Sequence, residues 1–152
     1  MNLSCEFCAV SAERGFSIIY EDSDFVAFTD IAPAARLHIQ VVPKRHHDRS
    51  LSFQDIDIPI VQSMQRIGDK ILNDHEISPS MRRMGFHIPP FNSIDHLHLH
   101  VQGGPYTSPL RDCAYPISKG RGSNHKGLSW FVEAKQAIQI LESGRQIGIL
   151  PC

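Results

Sequence analysis

The chain has 152 residues, of which 41% are hydrophobic and 20% charged, values that fit one ordinary globular domain with a buried core. A net charge of −1 at pH 7 excludes a chain built mainly to coat nucleic acid or an acidic membrane surface. No apolar run approaches the ~20 residues that span a bilayer. The N-terminus lacks the basic and apolar regions of a secretory signal. The four cysteines, two of them spaced as Cys5-x-x-Cys8, are therefore expected as reduced thiols or metal ligands in a cytoplasmic or nuclear protein.

Residues 5–13 read as a short helix running to Gly15. Two β-rich apolar segments, Ser17–Tyr20 and Phe25–Thr29, flank the acidic turn Glu21-Asp22-Ser23-Asp24 and predict a hairpin. Pro33 makes Ile31–Ala35 a loop, and His38–Val42 reads as a third strand stopped by Pro43. From Asp57 to Asn73, Ile60, Met64, Ile67 and Ile71 form one apolar stripe at helical spacing, with Asp55 or Asp57 as the cap and Pro59 near the start. Met81–Ile88 predicts a strand closed by Pro89-Pro90, and His96–Gln102 another. Glycines and prolines between 103 and 127 predict a long loop. Trp130 to Leu141 reads as a strand end followed by a helix. Hairpin-linked strands with one long helix inserted imply an α+β domain with an antiparallel sheet.

The chemistry concentrates in His96-Leu97-His98-Leu99-His100. In extended chain the three imidazoles share one face and Leu97, Leu99 and Val101 the other. A lone strand histidine is usually structural, but three on one face must either find buried partners or serve a site. Two of them could share a metal, whereas three on one straight strand reach a single ion only with strain. A middle ring that attacks while its neighbours position charge suits the spacing better. Imidazole is a good nucleophile toward phosphorus and gives an adduct that water can later cleave. Such a reaction needs donors for phosphate oxygens and assistance to the leaving group; Asn92, Ser93, His38 and His100 are candidates.

This pattern, followed by Val101, resembles the signature of the histidine triad (HIT) superfamily of nucleotide hydrolases and transferases. Cys5-Glu-Phe-Cys8, Phe28-Thr-Asp-Ile31 and His38-Ile-Gln-Val-Val-Pro-Lys-Arg-His46 resemble the family's N-terminal half. Gly85-Phe-His-Ile-Pro-Pro-Phe-Asn-Ser93 and Ser129-Trp-Phe-Val132 resemble its third Hint branch. The resemblance implies a single HIT domain over 1–152, with about five antiparallel strands and helices on one side, paired as a homodimer. It implies an enzyme that cleaves purine (AMP-type) phosphoramidates or acyl-adenylates through a nucleotide held on His98. His100 would then meet the phosphate and leaving group, with His38 beside the triad and Asn92 and Ser93 at the α-phosphate. Asp30 would accept the ribose hydroxyls, against the alternative of a turn cap. Phe7, Phe28 and Ile31 would surround the base, and each could equally be core.

Catalysis so implied requires no cofactor. Some family members bind zinc through positions occupied here by Cys5, Cys8, His46 and His96; the competing reading is a buried thiol pair. Gln102 departs from the signature, which ends in two apolar residues; if it begins an exit loop at Gly103-Gly104 the chemistry is expected to stay intact, and the alternative is a change in what approaches the leaving-group side. Lys44, Arg45, His46, His47 and Arg49 read as a solvated loop rather than a nucleic-acid patch. Lys119, Arg121, His125 and Lys126 read as mobile surface of the long loop, against the alternative that they cover the site or meet a charged leaving group. Three other readings compete: removal of adenylate from nucleic-acid ends as in the aprataxin branch, dinucleoside polyphosphate hydrolysis as in the Fhit branch, and a nucleotide-binding regulator with little turnover.

Overall fold

The computed structural model describes residues 5–46 and 58–152. Six antiparallel strands form one sheet in the order β1-β2-β3-β5-β4-β6. They are β1 (Ile18–Glu21), β2 (Phe25–Thr29), β3 (Ala35–Pro43), β4 (Arg82–His87), β5 (Leu99–Tyr106) and β6 (Phe131–Glu133). The helices are α1 (Ile58–Asp74), the short α2 (Pro109–Cys113) and α3 (Ala134–Glu142). Among the described residues no helix is long and apolar enough to cross a membrane.

The β1–β2 hairpin forms where alternating apolar residues and an acidic turn predict it. Asp22 stabilises that turn by accepting from the backbone N–H groups of Asp24 and Phe25 at 2.8 and 2.7 Å. Residues 5–13 differ from the expected helix. They form two 3₁₀ turns, Glu6–Ala9 and Ala12–Arg14, the second ended by Gly15 at φ 86°. The Asp55 or Asp57 cap of α1 lies outside the described residues.

Helix α1 lies within two residues of its expected span and buries Met64, Ile67 and Ile71, together with Val61 and Leu72. Ile60 is only partly buried. Gly68 allows the helix to approach the sheet: a Cβ there would lie 2.6 Å from Met84 Sδ and 3.0 Å from Val101 Cγ2. Helices α1 and α3 cover one sheet face, where Ile39, Val41, Phe86, Leu97, Leu99 and Val101 form the main core. The other face carries the histidines.

Two expectations change in this region. The sheet has six strands rather than five, because the short Phe131–Glu133 segment pairs with β4. The ladder of β5 begins at Leu99, so His96 and His98 precede it. Pro43 on one side and Pro89-Pro90 on the other lack the N–H groups needed to extend pairing. Alternation survives without the ladder, since Leu97 enters the core while His96 and His98 turn to the opposite face.

The long loop is also shorter than expected. β5 continues through Gly103 to Tyr106, and α2 follows, capped by the Ser108 hydroxyl, which accepts from the Arg111 N–H. Gln102 therefore sits within a strand on the histidine face, buried, and begins no exit loop. Lys126 is buried rather than mobile surface. Its ammonium donates to the carbonyls of Gly127, Gly148 and Ile149 at 2.8, 2.9 and 3.1 Å and fastens the C-terminal segment. Lys119 and Arg121 remain exposed.

Candidate active site

His100 meets His38, which the neighbouring strand β3 supplies, and His98 lies beside His100; all three are buried. Their proton positions follow from fixed backbone groups. The His96 carbonyl can only accept, so His98 Nδ1, 2.7 Å away, carries the proton. In neutral His98 the lone pair then lies on Nε2, the nitrogen opposite that anchor. The adjacent ring of His100 has its centroid 5.0 Å from that of His98.

The Ala34 N–H donates to His38 Nδ1 at 3.0 Å, so neutral His38 carries its proton on Nε2. That proton faces His100 Nδ1 at 2.9 Å. Burial lowers the His38 pKa to about 4, with nearby His87 and Arg111 adding to the effect and Asp30 opposing it. An unfolded His38 titrates near 6.5, so the unfolded chain binds the proton first. The protein is expected to lose stability as pH falls from about 6.5 through about 4, by at most about 3 kcal/mol. Denaturant titrations across that range check this, and His38→Asn should flatten the slope.

Asp30 lies beside these rings, with Oδ2 3.4 Å from His38 Nε2 and 3.9 Å from His100 Nδ1. Its Oδ1 accepts from the Ala32 N–H at 2.8 Å, so the turn-capping reading describes part of its work. Its Oδ2 accepts from Gln40 Nε2 at 2.6 Å, which fixes the amide orientation. Gln40 Oε1 is left as a buried acceptor with no hydrogen-bond partner among the described residues. An orphan acceptor beside a carboxylate is well suited to a hydroxylated ligand.

Phe7 and Phe28 are buried with ring centroids 5.2 Å apart, and Phe7 meets His98 edge-on at 5.5 Å. Ile31 is fully exposed, so it lies outside this aromatic cluster and takes no part in the core. Ser93 is exposed, and Asn92 donates from Nδ2 to the Ile94 carbonyl at 3.2 Å.

The four residues expected to hold zinc converge. Cys5, Cys8, His46 and His96 each present a ligand atom within 4.8 Å of the others. Cys8 Sγ lies 3.0 Å from His46 Nδ1 and 3.7 Å from His96 Nδ1, and Cys5 Sγ lies 3.4 Å from His96 Nδ1. Ligands about 2.0–2.3 Å from a tetrahedral zinc stand roughly 3.5 Å apart, so the set fits. The Pro43 carbonyl accepts a hydrogen bond from His96 Nε2–H at 2.9 Å and leaves Nδ1 as the metal-facing atom. Asp30, His38 and His100 also converge, but their contacts are accounted for as hydrogen bonds around the His38 proton.

Three further residues contribute to the site without a predicted place in it. His87, on β4, reaches His100 Nε2 through Nδ1 at 3.2 Å. Tyr115 packs edge-on against both His38 and His100, and burial pushes its phenol up to about 12. Gln102 accepts the Tyr106 hydroxyl and approaches His38 Nε2 to 3.4 Å.

Residues 4–114 match the family model described as the scavenger mRNA decapping enzyme C-terminal binding domain. Adenosine 5'-monophosphoramidase HINT3 of Danio rerio is 32% identical over 148 residues, covering 95% of this chain and 86% of the relative. The chain belongs to the histidine triad family. Bifunctional adenosine 5'-phosphosulfate phosphorylase/adenylylsulfatase HINT4 of Arabidopsis thaliana is 34% identical, covering 91% of this chain and 92% of the relative. A histidine triad protein from Clostridium difficile superposes with a TM-score of 0.59 at 29% identity, covering 69% of this chain and 94% of that one.

Proposed function

We propose that this histidine triad protein is a hydrolase of adenosine 5'-monophosphoramidates, acting through a nucleotide bound covalently to His98. The observation that carries the reading is the 2.7 Å bond from His98 Nδ1 to the His96 carbonyl, which puts the lone pair of the neutral ring on Nε2, as nucleophilic attack requires. The HINT3 relative that shares most of the chain's length supports the substrate class.

In the first half-reaction His98 Nε2 forms a bond to the α-phosphorus as the P–N bond of the substrate breaks. The amine leaves with that electron pair and takes one proton from water. His100 Nε2–H hydrogen-bonds the phosphoryl group, and Asn92 and Ser93 contribute further donors to its oxygens. In the second half, water attacks phosphorus, the P–N electron pair returns to His98, AMP departs and one proton goes back to solvent. Asp30, helped by Gln40, accepts the ribose hydroxyls, and Phe7 and Phe28 form the apolar wall toward the base. No metal enters these steps. Cys5, Cys8, His46 and His96 hold a structural zinc, which ties the N-terminal segment to the start of the triad. The family resemblance further supports a homodimer with two sites, which sedimentation equilibrium tests.

The HINT4 relative gives adenosine 5'-phosphosulfate a place among the substrates to compare, since its α-phosphate also carries a good leaving group. A single-turnover assay with adenosine 5'-phosphoramidate, the phosphosulfate, a dinucleoside polyphosphate and adenylated nicked DNA tests the reading. The phosphoramidate is expected to give the highest kcat/KM. Preference for nicked DNA or the polyphosphate would overturn it, and no turnover of any substrate would leave a binding protein.

A further inference from the structure

The hydrogen bonds among His38, His100 and the partly buried His87 run in one direction only. The Ala34 N–H requires His38 to be the Nε2–H tautomer, and His38 then requires an acceptor at His100 Nδ1. His100 must therefore carry its proton on Nε2. The opposite end imposes the same answer independently. The Ala114 carbonyl, 2.9 Å from His87 Nε2, can only accept, so His87 carries its proton on Nε2 and presents a lone pair at Nδ1. That lone pair faces His100 Nε2 at 3.2 Å. Trp130 Nε1–H reaches the same carbonyl at 3.3 Å, which helps fix it as the terminal acceptor.

Gln102 Nε2 is a donor that faces the protonated His38 Nε2 at 3.4 Å and makes no hydrogen bond to it; the backbone N–H of Ala34, which Nδ1 must accept at 3.0 Å, sets the His38 tautomer. Asp30 Oδ2 offers the His38 proton a second acceptor at 3.4 Å, longer than the 2.9 Å to His100. Neutral throughout, the chain ends in an adjacent donor and acceptor: His100 Nε2–H and the His87 Nδ1 lone pair.

Two such atoms 3.2 Å apart can both lie about 3 Å from groups of one bound molecule. We propose that His87 is a specificity-determining residue that accepts a hydrogen bond from the N–H of a phosphoramidate leaving group while His100 donates to the phosphoryl oxygen. A bridging nitrogen bears a hydrogen for His87 to accept. The bridging oxygen of a mixed anhydride bears none and turns a lone pair toward the lone pair of His87. The pair thus distinguishes a P–N from a P–O bond at the atom that departs.

This inference rests on the phosphoramidase reading, and its test separates the two. Adenosine 5'-phosphoramidate and adenosine 5'-phosphosulfate are compared as a ratio of kcat/KM in wild type, His87→Gln and His87→Asn. Asn places Oδ1 where His has Nδ1 and keeps the acceptor. Gln keeps a donor near the Ala114 carbonyl and removes the acceptor. The ratio is expected to fall about tenfold in His87→Gln, the worth of one hydrogen bond, and to stay near wild type in His87→Asn. An unchanged ratio in His87→Gln, or an equal fall in both variants, overturns the assignment of His87 while the phosphoramidase reading stands. Failure of wild type to cleave the phosphoramidate overturns that reading and this inference with it.

Discussion

His98→Ala is expected to lower single-turnover cleavage of adenosine 5'-phosphoramidate by at least about 10⁴-fold, the scale on which removal of a nucleophile acts. The size of the effect follows from the protonation of its neighbours in the triad cluster. His98 presents Nε2 because the His96 carbonyl holds Nδ1–H, whereas His38 and His100 have their Nε2 atoms protonated by the chain of bonds from the Ala34 amide. A protonated ring nitrogen has no lone pair for phosphorus. Nucleotide affinity should change little, since Asp30, Gln40, Phe7 and Phe28 remain. Rapid-quench kinetics alongside equilibrium AMP binding separates chemistry from binding. A variant that keeps more than about a tenth of the wild-type rate would show that another group attacks.

The second large effect concerns the N-terminal segment. Cys8 Sγ faces both His46 and His96, so Cys8→Ser is expected to remove zinc from the purified protein and lower its stability by several kcal/mol. Structural zinc contributes about 10–16 kcal/mol in small zinc peptides; in a domain with its own core only part of that is coupled to folding. The midpoint of thermal unfolding should fall by about 10 °C, at roughly 2–4 °C per kcal/mol for a chain of this size. His96 is two residues from His98, so activity should fall as well, through misplacement of the triad segment. Elemental analysis and calorimetry check the first two effects, and zinc content equal to wild type in Cys8→Ser rules out this ligand set.

Patterns that depend on one segment are legible in the sequence, and contacts that depend on register are not. The α1 stripe, the β2 strand and the alternation around the triad are local, and the fold keeps each of them. Glycines mislead at the end of the triad strand. Gly103 reads as a turn residue, yet it sits inside the sheet opposite Leu37 and Arg82, where a Cβ would lie 2.9 Å from Ile77 and Leu72. Its role is close packing, so β5 runs on and Gln102 becomes part of the site. Lys126 reads as solvated because its carbonyl partners at 148 and 149 lie at the far end of the chain. His87 is invisible for a similar reason. Only the pairing of Gly85 with His100 brings β4 beside the triad, and no spacing within one strand reveals that register. Asp30 and the zinc-type quartet emerge from family resemblance, because their partners lie tens of residues away.

Acid-labile modification of the protein during a single turnover tests the covalent route most directly. Wild-type protein mixed with excess adenosine 5'-phosphoramidate, quenched in base within milliseconds and mapped by mass spectrometry, is expected to carry one adenylyl group on His98 that disappears as AMP forms. AMP appearing with no modified histidine, or with the nucleotide on a residue other than His98, would contradict it.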